Sequence, residues 1–296
     1  MTNYSKFNIA LFFLVINYAF AQNKTKSVDL LDANLSRFEK HIGVPHTTVN
    51  GLPKGTPQFD DVTKGTPLGV NNDIKNVFTT TNINGETMLN ISGEIYGCIT
   101  TKENFSNYHF STMFKWGNKK WEPRLHRKKD TGILYHSYGD YGRFWNTWKT
   151  CLEFQVQETD LGDFISLPAN SIKPNPGGPI VYIRGNADSE KKQYDPNFET
   201  YFKGKGYIHA FKEPQSPHGN WNHLELYVVG NDAVHVVNGE IVMVVENAIN
   251  PETNKPLTEG QIQIQSEAAE CYYKQMTITP IEEFPEFIKK QVRFKS

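Results

Sequence analysis

The 296-residue sequence has three cysteines, no CxxC and no HExxH. The odd set Cys98, Cys151 and Cys271, with no short spacing, excludes a disulfide-dense scaffold and a dedicated structural zinc site. It leaves either three small buried hydrophobes or one pair with a thiol over. No charge of one sign dominates, since 31 Lys+Arg stand against 32 Asp+Glu. The basic residues are scattered rather than striped, which gives no footprint for nucleic acid. After the N-terminus no apolar run reaches the roughly 20 residues that a membrane span needs. Amphipathic helical periodicity is nearly absent as well.

What is there begins with a sorting signal. Lys6 precedes an apolar run from Ile9 to Phe20, and Ala19-Phe20-Ala21 supplies an A-x-A cleavage site before Gln22. A signal peptide over 1–21 and an exported, periplasmic or secreted protein are expected. With no cysteine at the lipoprotein position, a soluble product is expected. Residues 22–33 form a polar entry segment, and 34–296 read as a single domain. Leu35–Ile42 suits a short helix or an edge strand, and 43–73, rich in Gly, Pro, Thr and Asn, predicts a long ordered loop. From Val77 onward the chain is a succession of short alternating runs, among them Tyr108–Lys115, Gly132–Tyr135, Cys151–Val156, His223–Val229 and Cys271–Pro280. Asn238-Gly239 between two of them suits the positive φ angles of a tight hairpin. The predicted fold class is all-β, a jelly-roll β-sandwich.

The chemistry concentrates between Lys115 and Phe164. In Cys151–Gln157 (CLEFQVQ), Leu152, Phe154 and Val156 take one face and Glu153, Gln155 and Gln157 the other. The polar row follows a cluster of Tyr138, Tyr141, Phe144, Trp145 and Trp148. Aromatic rings stack on sugars and carboxamides bind hydroxyls, so the pattern is expected to line a carbohydrate site rather than a solvated edge. His136 shares parity with Leu134 and either reaches the cleft or is a buried histidine. Arg124 is an anion or carbonyl clamp, or a surface ion pair. Asp160 and Asp163 could hold calcium or another divalent ion, or simply cap a turn. Glu267, just past a strand ending at Gln265, is a candidate second carboxylate.

Gly93–Gly117, Trp121–His136, Phe144–Phe164, Asn220–Val242 and Gln261–Ile281, in this order, resemble the 3-keto-disaccharide hydrolase family of the concanavalin A-like lectin and glucanase fold. The resemblance implies cleavage of glycosides oxidised to a ketone at carbon 3, with help from a divalent metal and no organic cofactor. The carbonyl acidifies the carbon 2 proton, a base removes it, and the enolate expels the anomeric group. On this reading Glu153 or His136 is base or metal ligand, and Arg124 or a metal steadies the enolate. Glu267 is a further catalytic carboxylate, and Tyr135, Trp145, Gln155 and Gln157 bind sugar. Laminarinase-type glycosidases of this fold carry E-x-D-x-x-E, whereas here Gln155 stands where the aspartate belongs. Such a glycosidase and a non-catalytic carbohydrate-binding module are the alternatives.

Overall fold

The structure, a computed structural model, describes residues 26–295 apart from Ala187 and Ser189. The expected signal peptide and its cleavage site lie outside the described residues. Among the described residues the strands form two antiparallel sheets, of eleven and eight strands. The eight-stranded sheet runs, in spatial order, Tyr207–Ile208, Asp160–Leu167, Thr150–Gln157, Asp130–Tyr138, Gln261–Ser266, Gly97–Thr101, Phe38–Ile42 and Gly69–Val70. The centre of the larger sheet is Glu240–Asn250, Asp232–Val237, Asn222–Val229, Tyr108–Lys120 and Ala269–Pro280. Asn222–Val229, Asp232–Val237 and Glu240–Asn250 are consecutive hairpin partners, whereas Tyr108–Lys120 lies between two strands distant in sequence, pairings that form only when the sandwich closes.

Alternation decides which side of each strand is buried. Leu152, Phe154 and Val156 point between the sheets into one core with Ile133, Ile264, Val234 and Val244. Burying each such side chain contributes about 1.5–3 kcal/mol. One polar group sits in this core with its needs met: His235 Nδ1 bonds the Gly162 carbonyl at 3.0 Å, and its Nε2 lies 3.2 Å from the Tyr135 hydroxyl. The Asn238-Gly239 hairpin forms as expected, with Val237 opposite Glu240 and φ of 51° and 81° at the two turn residues.

Leu35–Ile42 resolves in favour of a strand, Phe38–Ile42, toward the edge of the smaller sheet. The 43–73 segment is irregular except at Gly69–Val70, and it buries Val62 against Tyr96, Leu134 and Trp148 on the outward face of that sheet. All three cysteines are free and buried, which closes the alternative of a disulfide pair. A short helix, Glu286–Gln291, was not expected from the pattern.

Candidate active site

The outward face of the eight-stranded sheet has an apolar half and a polar half. Tyr96, Cys98, Leu134, Trp148 and Cys151 make the first, with Tyr141, Phe144 and Trp145 packed over them. Cross-strand register builds the second. Gln157 pairs with Asp130 and Asp130 with Glu267; one step along, Gln155 pairs with Gly132; one further, Glu153 pairs with Leu134. Three adjacent strands thus deliver three carboxyl groups to one patch.

Arg124 enters that patch from a turn rather than a strand. Trp121 anchors the turn through its indole N–H to the Ser92 carbonyl at 2.8 Å, and the Arg124 N–H donates to the Trp121 carbonyl at 2.9 Å. The guanidinium then donates to Glu267 Oε1 at 2.9 Å and to Asp130 Oδ2. Gln157 Nε2 donates to the same Asp130 oxygen at 2.7 Å. The Tyr96 hydroxyl also bonds the guanidinium.

Glu153, Asp130 and Glu267 are only 3%, 4% and 6% exposed, so one guanidinium faces three dehydrated carboxyl groups. Burial first, then the neighbouring carboxylates, pushes Glu153 far above the usual carboxylate range. Burial and Asp130 likewise raise Glu267, and burial outweighs Arg124 in raising Asp130. Burial works against the Arg124 cation, but Glu267 and Asp130 outweigh it and keep the side chain charged. Glu153 has no cation of its own and no hydrogen bond from its carboxyl among the described residues, so burial favours its neutral form. A β-carbon placed on Gly132 would lie 2.1 Å from Glu153 Oε1 and 2.6 Å from Gln265 Oε1. Glycine is therefore what lets these two side chains lie over the strand. Gln265 Oε1, Asp130 Oδ1 and Arg124 Nε are buried without partners. Each unmet group costs about 1–3 kcal/mol, which a polar ligand would offset.

The structure brings Glu153, Glu267, Arg124, Gln155 and Gln157 to this face and leaves three expected residues elsewhere. Tyr135 is a core residue between the sheets, bonded to His235, and does not line the cleft. His136 sits in a register shift between Tyr135 and Tyr138 with φ of 50°, fully buried, with neither ring nitrogen bonded. Burial lowers it to about 4. Trp145 stacks on Phe144 at 4.6 Å and packs over the apolar half of the face. Gln155 is buried, its Oε1 accepting from the Val156 N–H at 3.1 Å. Asp130, Gly132, Tyr96 and Gln265 were given no role from sequence. The parity of Asp130 with Gly132 and Leu134 was the signal that could have found the first.

Beside the patch a groove of roughly 820 Å³ opens on Gln157, Asp160, Tyr207 and His209. Asp160, Asp163 and His209 offer three ligand atoms within 4.8 Å of one another, so this cluster could hold a metal ion. Asp163 Oδ2 lies 2.9 Å from His209 Nδ1, its Oδ1 accepts from Ala210 N–H at 2.6 Å, and burial pushes it up to about 7. Asp160 Oδ2 is held by Lys128 Nζ at 2.6 Å. Of the divalent ions considered for the two aspartates, two carboxylates with an imidazole suit a transition metal better than calcium, which prefers an all-oxygen set.

Residues 58–279 match the family described as 3-keto-alpha-glucoside-1,2-lyase-like domain. No curated protein sequence matches the chain. Among solved structures, a Parabacteroides distasonis protein provisionally classed as a glycosyl hydrolase is similar at 18% identity, covering 68% of this chain and 83% of that one, with TM-score 0.41. The carbohydrate-binding module CBM66 of Bacillus subtilis is similar at 11% identity over 68% of this chain and 91% of that one, TM-score 0.41. LamAcat of Zobellia galactanivorans is similar at 11% identity over 87% and 98%, TM-score 0.41. These likenesses are of outline and carry no functional weight.

Proposed function

The chain belongs to the 3-keto-alpha-glucoside-1,2-lyase-like domain family, and from that premise we propose that it is an exported enzyme cleaving 3-keto-glycosides by removal of the carbon 2 proton and elimination at carbon 1. The observation that carries this reading is a buried Glu153 whose carboxyl has no hydrogen-bond partner among the described residues, beside an Asp130–Arg124–Glu267 ion cluster. Two kinds of carboxyl group in one site, one proton-bearing and one ion-paired, are what acid and base roles require.

A 3-ketone makes the carbon 2 hydrogen acidic, so elimination needs no oxocarbenium ion. Asp130, whose Oδ2 accepts a hydrogen bond from the groove-lining Gln157, takes the proton. Arg124 offers its guanidinium to the oxygen on which the enolate charge develops. Glu153, whose neutral form burial favours, gives its proton to the departing glycosidic oxygen. Glu267 holds Arg124 in place, and Gln155 and Gln157 meet sugar hydroxyls. Asp160, Asp163 and His209 would hold a divalent metal, which when bound supplies Lewis acidity toward the sugar carbonyl.

The structure lends the laminarinase-type alternative no support. The Thr150–Gln157 strand ends before Glu158, whose backbone N–H turns to the Lys129 carbonyl at 2.9 Å, so the second carboxylate of that motif leaves the row of Glu153. Incubation with a native glycoside and its 3-keto derivative, each with and without a chelator, tests the assignment. Turnover of the keto sugar alone is expected. Turnover of the native glycoside would replace the proposal with ordinary hydrolysis, and binding without turnover would replace it with a binding module.

A further inference from the structure

Of three buried glutamines on the outward face of the smaller sheet, two have their amide oxygens met. Gln263 Oε1 accepts from the Lys149 N–H at 3.2 Å, while its Nε2 donates to Thr100 Oγ1 at 2.9 Å and to Cys98 Sγ at 3.2 Å. Gln155 Oε1 accepts from the Val156 N–H. Gln265, two residues after Gln263 on the same strand, is 1% exposed, and its Oε1 has no donor among the described residues. Its backbone is fixed, since the carbonyl accepts from the Thr131 hydroxyl at 2.8 Å and the residue pairs with Cys98. The amide is held over the face and left unmet at one end.

What it faces is Glu153. The Asp130–Tyr138 strand runs between the strands that carry the two residues, and their side chains converge over its Gly132. The β-carbon position that glycine leaves empty is 2.1 Å from Glu153 Oε1 and 2.6 Å from Gln265 Oε1. Two oxygens so placed, neither with a donor from the surrounding residues, repel unless a hydrogen lies between them. The spare donor of the patch, Arg124 Nε, bonds neither. An ionised Glu153 would also add a third carboxylate to a patch that holds Asp130, Glu267 and one guanidinium. The donor that remains is the O–H of Glu153 itself.

We propose that Gln265 is a positioning residue for Glu153, its amide oxygen accepting the hydrogen of the Glu153 carboxylic acid. The bond holds the neutral acid over Gly132 and fixes which carboxyl oxygen carries the hydrogen. When the departing glycosidic oxygen takes that proton, the O–H bond at Glu153 breaks, one forms on the leaving group, and Glu153 is left a carboxylate. A half-turn of the Gln265 amide then brings its N–H to the carboxylate, so one side chain serves both states. The transfer step rests on the elimination proposed above; the pairing of the two side chains does not.

Infrared difference spectroscopy tests the pairing apart from the reaction. The spectrum of the unmodified protein minus that of Glu153→Gln, in mildly acidic buffer, isolates the Glu153 carboxyl because the other buried acids cancel. A carboxylic acid carbonyl band at a hydrogen-bonded frequency is expected. It should move to higher frequency in Gln265→Met or, should that variant not fold, in Gln265→Asn, whose amide falls one methylene short. In the variant that folds, kcat for a 3-keto-glucoside is expected to drop on the order of tenfold with KM nearly unchanged. A carboxylate band in place of the acid would overturn the proposal and assign the opposite amide orientation, with its N–H on an ionised Glu153. A band at the frequency of an unbonded acid in the unmodified protein would overturn it without any variant, as would a band that neither substitution moves. Absence of keto-sugar turnover by the unmodified protein defeats the proposed reaction and leaves the pairing to be judged by the infrared bands.

Discussion

Glu153 is costly to the fold and useful to the proposed reaction for one reason. Water is kept from it, and its nearest charged neighbours include two carboxylates. Its folded-state pKa lies above its unfolded value, so the folded chain holds a proton that the unfolded chain releases. Its stability contribution is therefore fully present below the ordinary glutamate range and is lost as pH rises toward the folded value. Asp163 acts in the same direction, between an ordinary value of 3.8 and about 7. Thermal midpoints are expected to fall from mildly acidic to mildly alkaline pH. Glu153→Gln, which keeps shape without ionising, should flatten that slope and raise the midpoint at pH 8 by about 2–4 °C, while turnover of a 3-keto-glucoside drops on the order of 10²- to 10⁴-fold. An unchanged rate would remove Glu153 from the scheme; an unchanged slope would place its proton elsewhere.

At the level of the element, the Asp130–Tyr138 strand sets the site. Its first half alternates strictly, placing Asp130, Gly132 and Leu134 outward and Thr131, Ile133 and Tyr135 inward. Its second half departs from alternation, because the register shift before Tyr138 turns His136 into a left-handed conformation and full burial. Parity counted from Leu134 therefore fails one step later. Gly132 is the point where the strand yields to the site. The atoms nearest a methyl group there belong to the ends of two flexible side chains, so Gly132→Ala should fold with a thermal midpoint within about 2 °C of the parent. The displaced Glu153 should lower kcat by on the order of tenfold or more. A normal kcat would show that Glu153 does not need to lie over this strand.

The whole molecule adds a fastening remote from the site. Arg184, on the outer flank of the larger sheet, donates to the Phe198 carbonyl at 2.8 Å, to the Tyr201 hydroxyl and to the Arg293 carbonyl at 2.8 Å. Phe284 stacks on Phe294 at 4.6 Å, so the segment after the last strand lies down on the sandwich. Arg184→Ala leaves these acceptors unmet and should cost about 1–3 kcal/mol in denaturant unfolding, with KM and kcat for the keto sugar unchanged. A loss of activity at full stability would contradict this separation of fastening from chemistry.

The sequence by itself determined the all-β class, the tight hairpin at Asn238-Gly239 and the split of CLEFQVQ into a core face and a polar face. These follow from local rules, the period of two along a strand and the φ preferences of turn residues. The shared face of Glu153, Gln155 and Gln157 was legible for the same reason. Only the tertiary structure decided that Asp130 stands opposite Glu267, that Arg124 serves both, that His209 joins Asp160 and Asp163, and that a register shift takes His136 out of the row begun by Leu134. Each of these depends on which strands become neighbours and where register shifts by one residue, and those are fixed by closure of the two sheets rather than by any stretch of chain.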